Sequence, residues 1–208
     1  MSGADLAVDF VMHLLRETEA VQEGHFLLSS GRHSNRYVQC ARLLQFPDKA
    51  AAALKPVADA IRADMRAGKL ALDVVVGPAM GGIIVAYELG RQLGIPALFT
   101  ERDDAGKMTF RRGFAVSEGQ RVLIAEDVVT TGKSSGETAA VLEALGAKVA
   151  ALACVVDRRA YAEEAAPQLP RWPMYPAVRV EAANWDAADC DLCKKGIPPV
   201  KPGSRKVF

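Results

Sequence analysis

Residues 121–137 read RVLIAEDVVTTGKSSGE, and this segment decides the fold of the chain. It opens with an apolar run at 122–125 whose length and β-branched composition are typical of a buried strand. Glu126 and Asp127 follow directly, ahead of a glycine-containing loop of hydroxyl side chains at 130–134. The predicted order is therefore a strand, an acidic pair and a polar loop.

A helix is expected to begin near Ser134, because Ser134 and Glu137 have the S-x-x-E spacing of a capping box. Free backbone N–H groups and the positive end of the helix dipole make such a helix start favourable for a phosphate. The loop is not a Walker A loop, since that motif requires glycine five residues before the Gly132-Lys133 pair, where this chain has Asp127. The acidic pair is suited to sugar hydroxyls or to a divalent cation.

The composition is that of an ordinary globular protein: of 208 residues, half are apolar and a quarter are charged. This length fits a single domain with a sizeable core. The net charge of +1 favours neither a nucleic-acid surface nor a membrane surface, and the sequence has no apolar run of membrane-spanning length. The N-terminus is acidic rather than basic, so no secretory signal is expected and we predict a cytoplasmic protein.

Strand and helix patterns alternate along the chain. Strands are predicted at 73–76, 95–100, 122–125, 147–156 and 177–182, and helices at 6–18, 48–65, 84–93 and 134–145. This alternation predicts an α/β fold with a central, mostly parallel sheet flanked by helices. Ligands bind beyond the carboxyl ends of such strands, so the loops after the four central strands should meet at one edge. Two short strands around a glycine turn are predicted between His25 and Val38, and composition alone makes them a solvated hairpin.

Two further features of the predicted edge are suited to anions. The loop at 77–82 has three glycines, which let a backbone approach a ligand closely and form an anion nest, although a tight turn explains a single glycine equally well. Arg158 follows the strand at 147–156 and has the fork geometry that matches a carboxylate, although an arginine there is more often a surface charge.

The segment at 101–120, which we name the flap, is long for a loop inside an α/β core. Its cationic side chains are Arg102, Lys107, Arg111 and Arg112. Residues 109–110 and 114–116 are expected to pair as a small hairpin. The flap is either an exposed charged hairpin or a mobile cover that closes on a diphosphate and excludes water.

Cys190 and Cys193 form a lone C-x-x-C, and the other two cysteines are Cys40 and Cys154. A structural zinc site usually requires four ligands, and we expect no second cysteine pair and no suitable histidine close by. We therefore predict free thiols, with a half-site completed by another subunit as the alternative.

The segment at 121–137 is similar to the 5-phosphoribosyl-1-diphosphate (PRPP) signature of type I phosphoribosyltransferases. That signature consists of an apolar strand, two acidic residues, two small apolar residues and a T-T-G-K-S loop. Other stretches resemble orotate phosphoribosyltransferases, so the resemblance covers nearly the whole chain. They are FLLSSGRHSNRY at 26–37, GPAMGGI at 77–83, the Asp157-Arg158 pair, and CDLCKKGIPPVKPGSR at 190–205, which is similar to the tail of a Thermus-type bacterial subgroup.

The resemblance implies the type I phosphoribosyltransferase fold in one domain of residues 1–208. A small hood formed by about 20–45 and the C-terminal segment would cover a core at about 48–165. The implied reaction transfers the 5-phosphoribosyl group of PRPP to orotate in UMP biosynthesis, with Mg²⁺ as cofactor. The implied assembly is a homodimer that shares its flap between subunits and binds neither nucleic acid nor a membrane.

The resemblance also implies roles for residues. PRPP would be bound by Glu126, Asp127, Val128, Val129, Thr130, Thr131, Gly132, Lys133 and Ser134. The implied catalytic residues are Glu126, Asp127, Lys107 and Arg102. Orotate would contact Thr130 and Arg158, and Mg²⁺ would be held mainly by PRPP rather than by protein ligands.

The chain departs from many members of that family at three places. Ser29 stands where a lysine is common, Met80-Gly81 stands where Tyr-Lys is common, and the flap lacks a K-x-H pattern. The sequence does not decide which flap cation replaces the missing side chains. Two alternatives share the PRPP site: a purine-type phosphoribosyltransferase, and a non-catalytic RNA-binding regulator, which should show a basic face.

Overall fold

The structure, a computed structural model, describes residues 3–28, 30–159 and 172–202. Its helices are α1 (Gly3–Glu17), α2 (Ala41–Leu44), α3 (Pro47–Arg66), α4 (Gly81–Leu93), α5 (Lys133–Ala144) and α6 (Asp191–Lys194). Its strands are β1 (Val21–Leu27), β2 (His33–Val38), β3 (Val74–Pro78), β4 (Ala97–Arg102), β5 (Met108–Thr109), β6 (Arg121–Val129), β7 (Lys148–Asp157), β8 (Met174–Arg179) and β9 (Asn184–Trp185). Within these ranges, no helix combines the length and the apolar character needed to cross a bilayer.

Six strands form the central sheet in the order β5-β4-β3-β6-β7-β8. The five strands from β4 to β8 in this order pair in parallel, and only β5 pairs antiparallel, with β4. The predicted α/β fold with a mostly parallel sheet is therefore confirmed. Side chains alternate between two apolar clusters: Leu123 packs in one, while Val122 and Ile124 pack in the other. Burial on both faces explains why residues 122–125 of β6 are apolar without interruption.

The chain order of the strands reverses between β3 and β6. After β3 the chain crosses to β4 on one side, and β6 then pairs with β3 on the other side. A crevice at the carboxyl ends of the strands forms at such a reversal, because the loops after the two strands lead away in opposite directions. The loop at 77–82 and the end of β6 therefore lie side by side where a ligand is expected.

A second, smaller sheet has the order β1-β2-β9. The predicted hairpin between His25 and Val38 is confirmed, with β1 and β2 antiparallel. Val200 forms a parallel bridge to Phe26, so the C-terminal segment lies along this sheet. Ser29 lies outside the described residues.

The last strand of the central sheet begins earlier than predicted. We expected a strand at 177–182, whereas β8 spans Met174–Arg179 and contains Pro176. Proline cannot donate to a ladder and is confined to edge strands, and β8 is the edge of the sheet. The short elements α2, β9 and α6 were not predicted, because two to four residues carry no readable periodicity.

Candidate active site

The acidic pair lies within β6 rather than in the loop after it. β7 is long enough to pair with β6 as far as Val129, so the strand continues beyond Ala125, where we predicted its end. Glu126 is therefore buried inside the sheet and Asp127 is half-buried. The loop that follows consists only of residues 130–132.

Burial disfavours the negative charge of both carboxylates. It raises the pKa of Glu126 to about 8, with the neighbouring charge of Asp127 as the second cause. Burial also raises the pKa of Asp127, although the Val128 N–H donates a 2.8 Å hydrogen bond to its carboxylate. The hydroxyl of Ser135 donates a 3.4 Å hydrogen bond to Glu126. Hydrogen-bond donors of a bound ligand, or a bound cation, would favour the charged forms of both carboxylates. The pair is therefore suited to sugar hydroxyls and to a hard metal ion.

The loop at 130–132 leads into α5. The N-cap residue is Gly132, which has no side chain and has a left-handed backbone at φ 70°, and the Thr131 hydroxyl accepts a 3.4 Å hydrogen bond from the Lys133 N–H. α5 begins at Lys133, and the predicted capping box is wrong, since Ser134 lies inside the helix and Glu137 pairs with Arg102 instead. The N–H groups of the first turn and the positive end of the dipole therefore face the polar loop, as a phosphate site requires.

The predicted loop at 77–82 is reduced to residues 79 and 80, because Gly77 lies in β3 and Gly81 and Gly82 begin α4. The three glycines allow β3 and α4 to approach β6 closely. A Cβ atom at Gly77 would lie 2.1 Å from the carbonyl oxygen of Gly82, and one at Gly82 would lie 2.7 Å from the carbonyl oxygen of Ala125. A Cβ atom at Gly81 would lie 2.4 Å from the carboxylate of Asp127. We expected these glycines to let the backbone approach a ligand, but the close contacts that they allow are with other parts of the protein. These contacts place the N-terminus of α4 beside the acidic pair.

Arg158 follows β7 and is joined to the end of β6, because its N–H donates a 2.9 Å hydrogen bond to the Val129 carbonyl. Its Nε atom is buried and has no hydrogen-bond partner within the described ranges. Burial lowers the pKa of its guanidinium group. By contrast, the Asp157 carboxylate accepts hydrogen bonds of 3.0 and 3.1 Å from Arg159. Arg158 is therefore a half-buried cation with a buried, unused Nε donor at the same sheet edge, which is the arrangement that a carboxylate ligand would complete.

The base of the flap is a β4–β5 hairpin rather than the predicted pairing of 109–110 with 114–116. Met108 and Thr109 pair with Arg102 and Glu101 of β4. Residues 114–116 are not in a strand, and Phe114 packs edge-on against Phe99, with the ring centroids 5.0 Å apart.

The four flap cations lie in different environments. Arg102 pairs with Glu137 and donates a 2.7 Å hydrogen bond to the carbonyl of Gly106. Arg112 pairs with Glu101 at 2.9 Å, and all four cations, Lys107 and Arg111 included, are exposed. Lys107 is thus accessible to a ligand, while Arg102 is held at the start of α5.

One group of residues, outside the acidic pair and its loops, was missed by the sequence analysis. The expectation that no suitable histidine lies near Cys190 and Cys193 is wrong, because His25 contacts both thiols and His33 contacts the thiol of Cys193. These histidines lie 160 or more residues away in sequence. The only signal was that both histidines fall on the predicted hairpin, eight residues apart.

Comparisons with known proteins agree with this site. The family of the phosphoribosyl transferase domain matches residues 48–167, which contain β3 to β7 and the acidic pair. The orotate phosphoribosyltransferase of Heliobacterium modesticaldum is 48% identical over 200 residues, which cover 96% of this chain and 100% of that protein.

Two solved structures have the same fold. The orotate phosphoribosyltransferase of Aeropyrum pernix is 27% identical with a TM-score of 0.65, covering 82% of this chain and 93% of that chain. The UMP synthase of Leishmania donovani is 22% identical with a TM-score of 0.66, covering 84% of this chain, although this chain spans only 36% of that one. The chain therefore belongs to the phosphoribosyltransferase family, in the branch of the orotate phosphoribosyltransferases.

Proposed function

We propose that this protein transfers the 5-phosphoribosyl group of PRPP to orotate, giving orotidine 5′-phosphate and diphosphate, a step of UMP biosynthesis. The observation that carries the proposal is the position of Arg158, a half-buried cation at the end of β6 whose buried Nε atom has no partner within the described residues. An acceptor base with its own carboxylate would satisfy this cation, which an uncharged purine would not. The relative that is 48% identical is named for this reaction.

The donor half of the site follows from β6 and α5. The 5-phosphate of PRPP would accept hydrogen bonds from the free N–H groups of α5 and from hydroxyls at 130–134. The ribose hydroxyls would donate to Glu126 and Asp127, which favours the charged forms of both carboxylates. The diphosphate would face the loop at 77–82 and the uncapped N-terminus of α4.

In the chemical step the bond between C1 of the ribose and the diphosphate oxygen breaks, and diphosphate leaves with the electron pair. N1 of orotate then attacks the oxocarbenium-like carbon and gives up its proton, which the released diphosphate accepts. No protein nucleophile is required, so catalysis consists of positioning the two reactants and neutralising the leaving group. Arg158 and Thr130 would orient orotate, while Lys107 and Arg102 would supply positive charge from the flap.

The oxygen donors of the site fit Mg²⁺, a hard cation that prefers carboxylates and phosphates and usually keeps several waters. Glu126 and Asp127 are the protein groups that would lie near it, with PRPP as its main ligand. When bound, Mg²⁺ supplies charge neutralisation on the diphosphate.

We further propose a cytoplasmic homodimer whose flap is shared between subunits. The exposed position of Lys107 suits a residue that closes on a neighbouring site. In this proposal one domain of residues 1–208 carries the reaction, with the hood at about 20–45 and the C-terminal segment covering a core at about 48–165.

The test is the PRPP-dependent consumption of orotate, measured beside adenine, hypoxanthine and uracil under identical conditions. We expect turnover of orotate alone. Consumption of a purine in place of orotate would support the purine-type alternative. No consumption of any base, together with RNA binding, would support the regulator.

A further inference from the structure

The β1–β2 hairpin and the C-terminal segment meet at two histidines and two cysteines. His25 lies on β1, His33 lies on β2, and Cys190 and Cys193 lie at the start and within α6. The four ligand atoms all lie within 4.8 Å of one another. His25, His33 and Cys190 are buried, and Cys193 is exposed.

The distances within this cluster match a tetrahedral metal site. With metal–sulfur bonds of about 2.3 Å and metal–nitrogen bonds of about 2.0 Å, neighbouring ligand atoms lie roughly 3.3 to 3.8 Å apart. The Sγ atom of Cys190 is 3.3 Å from His25 Nε2, and that of Cys193 is 3.8 Å from the same atom and 3.3 Å from His33 Nδ1. The two ring nitrogens are 2.8 Å apart and the widest separation in the cluster is 4.8 Å, so shifts of about 0.5 to 1 Å would bring the four atoms to tetrahedral spacing.

The surroundings orient one histidine as a ligand. His25 Nδ1 lies 2.6 Å from the carbonyl oxygen of Ile197, an acceptor that fixes the ring proton on Nδ1. The lone pair of Nε2 then faces the two thiols. A ring N–H donated to a backbone carbonyl is the usual support of a metal-bound histidine.

We propose that His25, His33, Cys190 and Cys193 bind one Zn²⁺ ion as a structural site. Two thiolates and two imidazoles are a common zinc ligand set, and four protein ligands leave no open position for chemistry. The C-x-x-C is thus a half-site completed within the same chain, in place of the free thiols that the sequence predicted.

The proposed ion would cross-link the β1–β2 hairpin to the C-terminal segment. Backbone hydrogen bonds already join the same segments, since the Val200 N–H donates to the His25 carbonyl and the Leu27 N–H donates to the Val200 carbonyl, both at 2.8 Å. These few bonds connect segments that are more than 160 residues apart, so a cross-link here removes a large loop-closure entropy from the unfolded chain. Loss of the ion should therefore loosen the hairpin and the tail before it loosens the central sheet.

The test is the zinc content of the untagged full-length protein, purified without chelator and measured by atomic emission. We expect about one zinc per chain, and essentially none in the Cys190→Ser/Cys193→Ser double variant. His13→Ala and Cys154→Ala, which remove a histidine and a cysteine outside the cluster, should each keep the ion. Co²⁺ added to the metal-free protein should give a thiolate-to-metal charge-transfer band that the double variant lacks.

A test on the wild-type chain covers the case in which the double variant does not fold. Chelation of zinc should speed amide hydrogen exchange at 21–38 while exchange at 122–129 stays unchanged, and added Zn²⁺ should reverse the effect. The proposal is overturned if the reduced wild-type protein fails to bind Zn²⁺, if a Cys190–Cys193 disulfide is recovered instead, or if a folded double variant keeps its zinc. None of these readouts depends on transferase activity.

Discussion

The raised pKa of Glu126 predicts that PRPP binding depends on pH. Burial and the charge of Asp127 bring the pKa of Glu126 to about 8, against an ordinary value near 4.5. The folded chain therefore holds this proton more tightly than the unfolded chain does. The resulting stability is complete below about pH 4.5 and is lost as the pH rises toward 8. Ribose hydroxyls donate to the ionised carboxylate, so binding must release the proton.

The expected size of the effect follows from that pKa. At pH 6 about one carboxyl group in a hundred is ionised, and at pH 8 about half are, so the affinity for PRPP should rise about 50-fold over this interval. At pH 7 binding should release about 0.9 proton per site. Calorimetric titration with Mg²⁺ and PRPP, in two buffers of different ionisation enthalpy, measures both quantities.

The matched control is Glu126→Gln, which keeps the shape of the side chain but cannot titrate. PRPP has titrating phosphates of its own, and their contribution is common to both proteins. The difference between the two pH profiles therefore isolates Glu126. If the affinity for PRPP has the same pH dependence in the two proteins, or if the wild type releases no proton at pH 7, then ionisation of Glu126 is not coupled to PRPP binding.

Three further predictions concern groups around this carboxylate. Asp127→Asn should lower kcat about 100-fold with little change in Tm, and a near-normal rate would remove Asp127 from the proposed machinery. Arg158→Lys should raise the KM for orotate about tenfold or more without changing the KM for PRPP, because an ammonium group lacks the planar fork, whereas Arg159→Lys should leave both values unchanged. Gly81→Ala should reduce the free energy of unfolding by about 1–3 kcal/mol and impair PRPP binding, because its Cβ would meet the Asp127 carboxylate at 2.4 Å. Gly136→Ala, with no atom within 4 Å of the added carbon, should do neither.

The parallel sheet and its edge could be predicted because they depend on local patterns. Apolar runs such as 122–125 can be buried only between helices, and the alternation of strands and helices then determines a parallel sheet. The site residues at 126–134 are contiguous, so they could be found from the sequence even though their boundary between strand and loop could not. That boundary depends on β7, whose length sets how far β6 remains paired.

Contacts between distant segments could not be predicted in the same way. The role of Gly81 depends on an approach to Asp127 that involves two strands from different parts of the chain. The cluster of His25, His33, Cys190 and Cys193 depends on the C-terminal segment returning to the β1–β2 hairpin. The spacing of residues along the sequence reveals either the cysteine pair or the histidine pair, but it does not show that the two pairs meet.

The proposed transfer of the phosphoribosyl group to orotate is tested by product analysis of the wild-type chain incubated with Mg²⁺, PRPP and orotate. We predict that orotidine 5′-phosphate and diphosphate form in equal amounts, and that neither forms when orotate is omitted. Release of diphosphate without orotate, or the absence of any nucleotide product, would contradict the account.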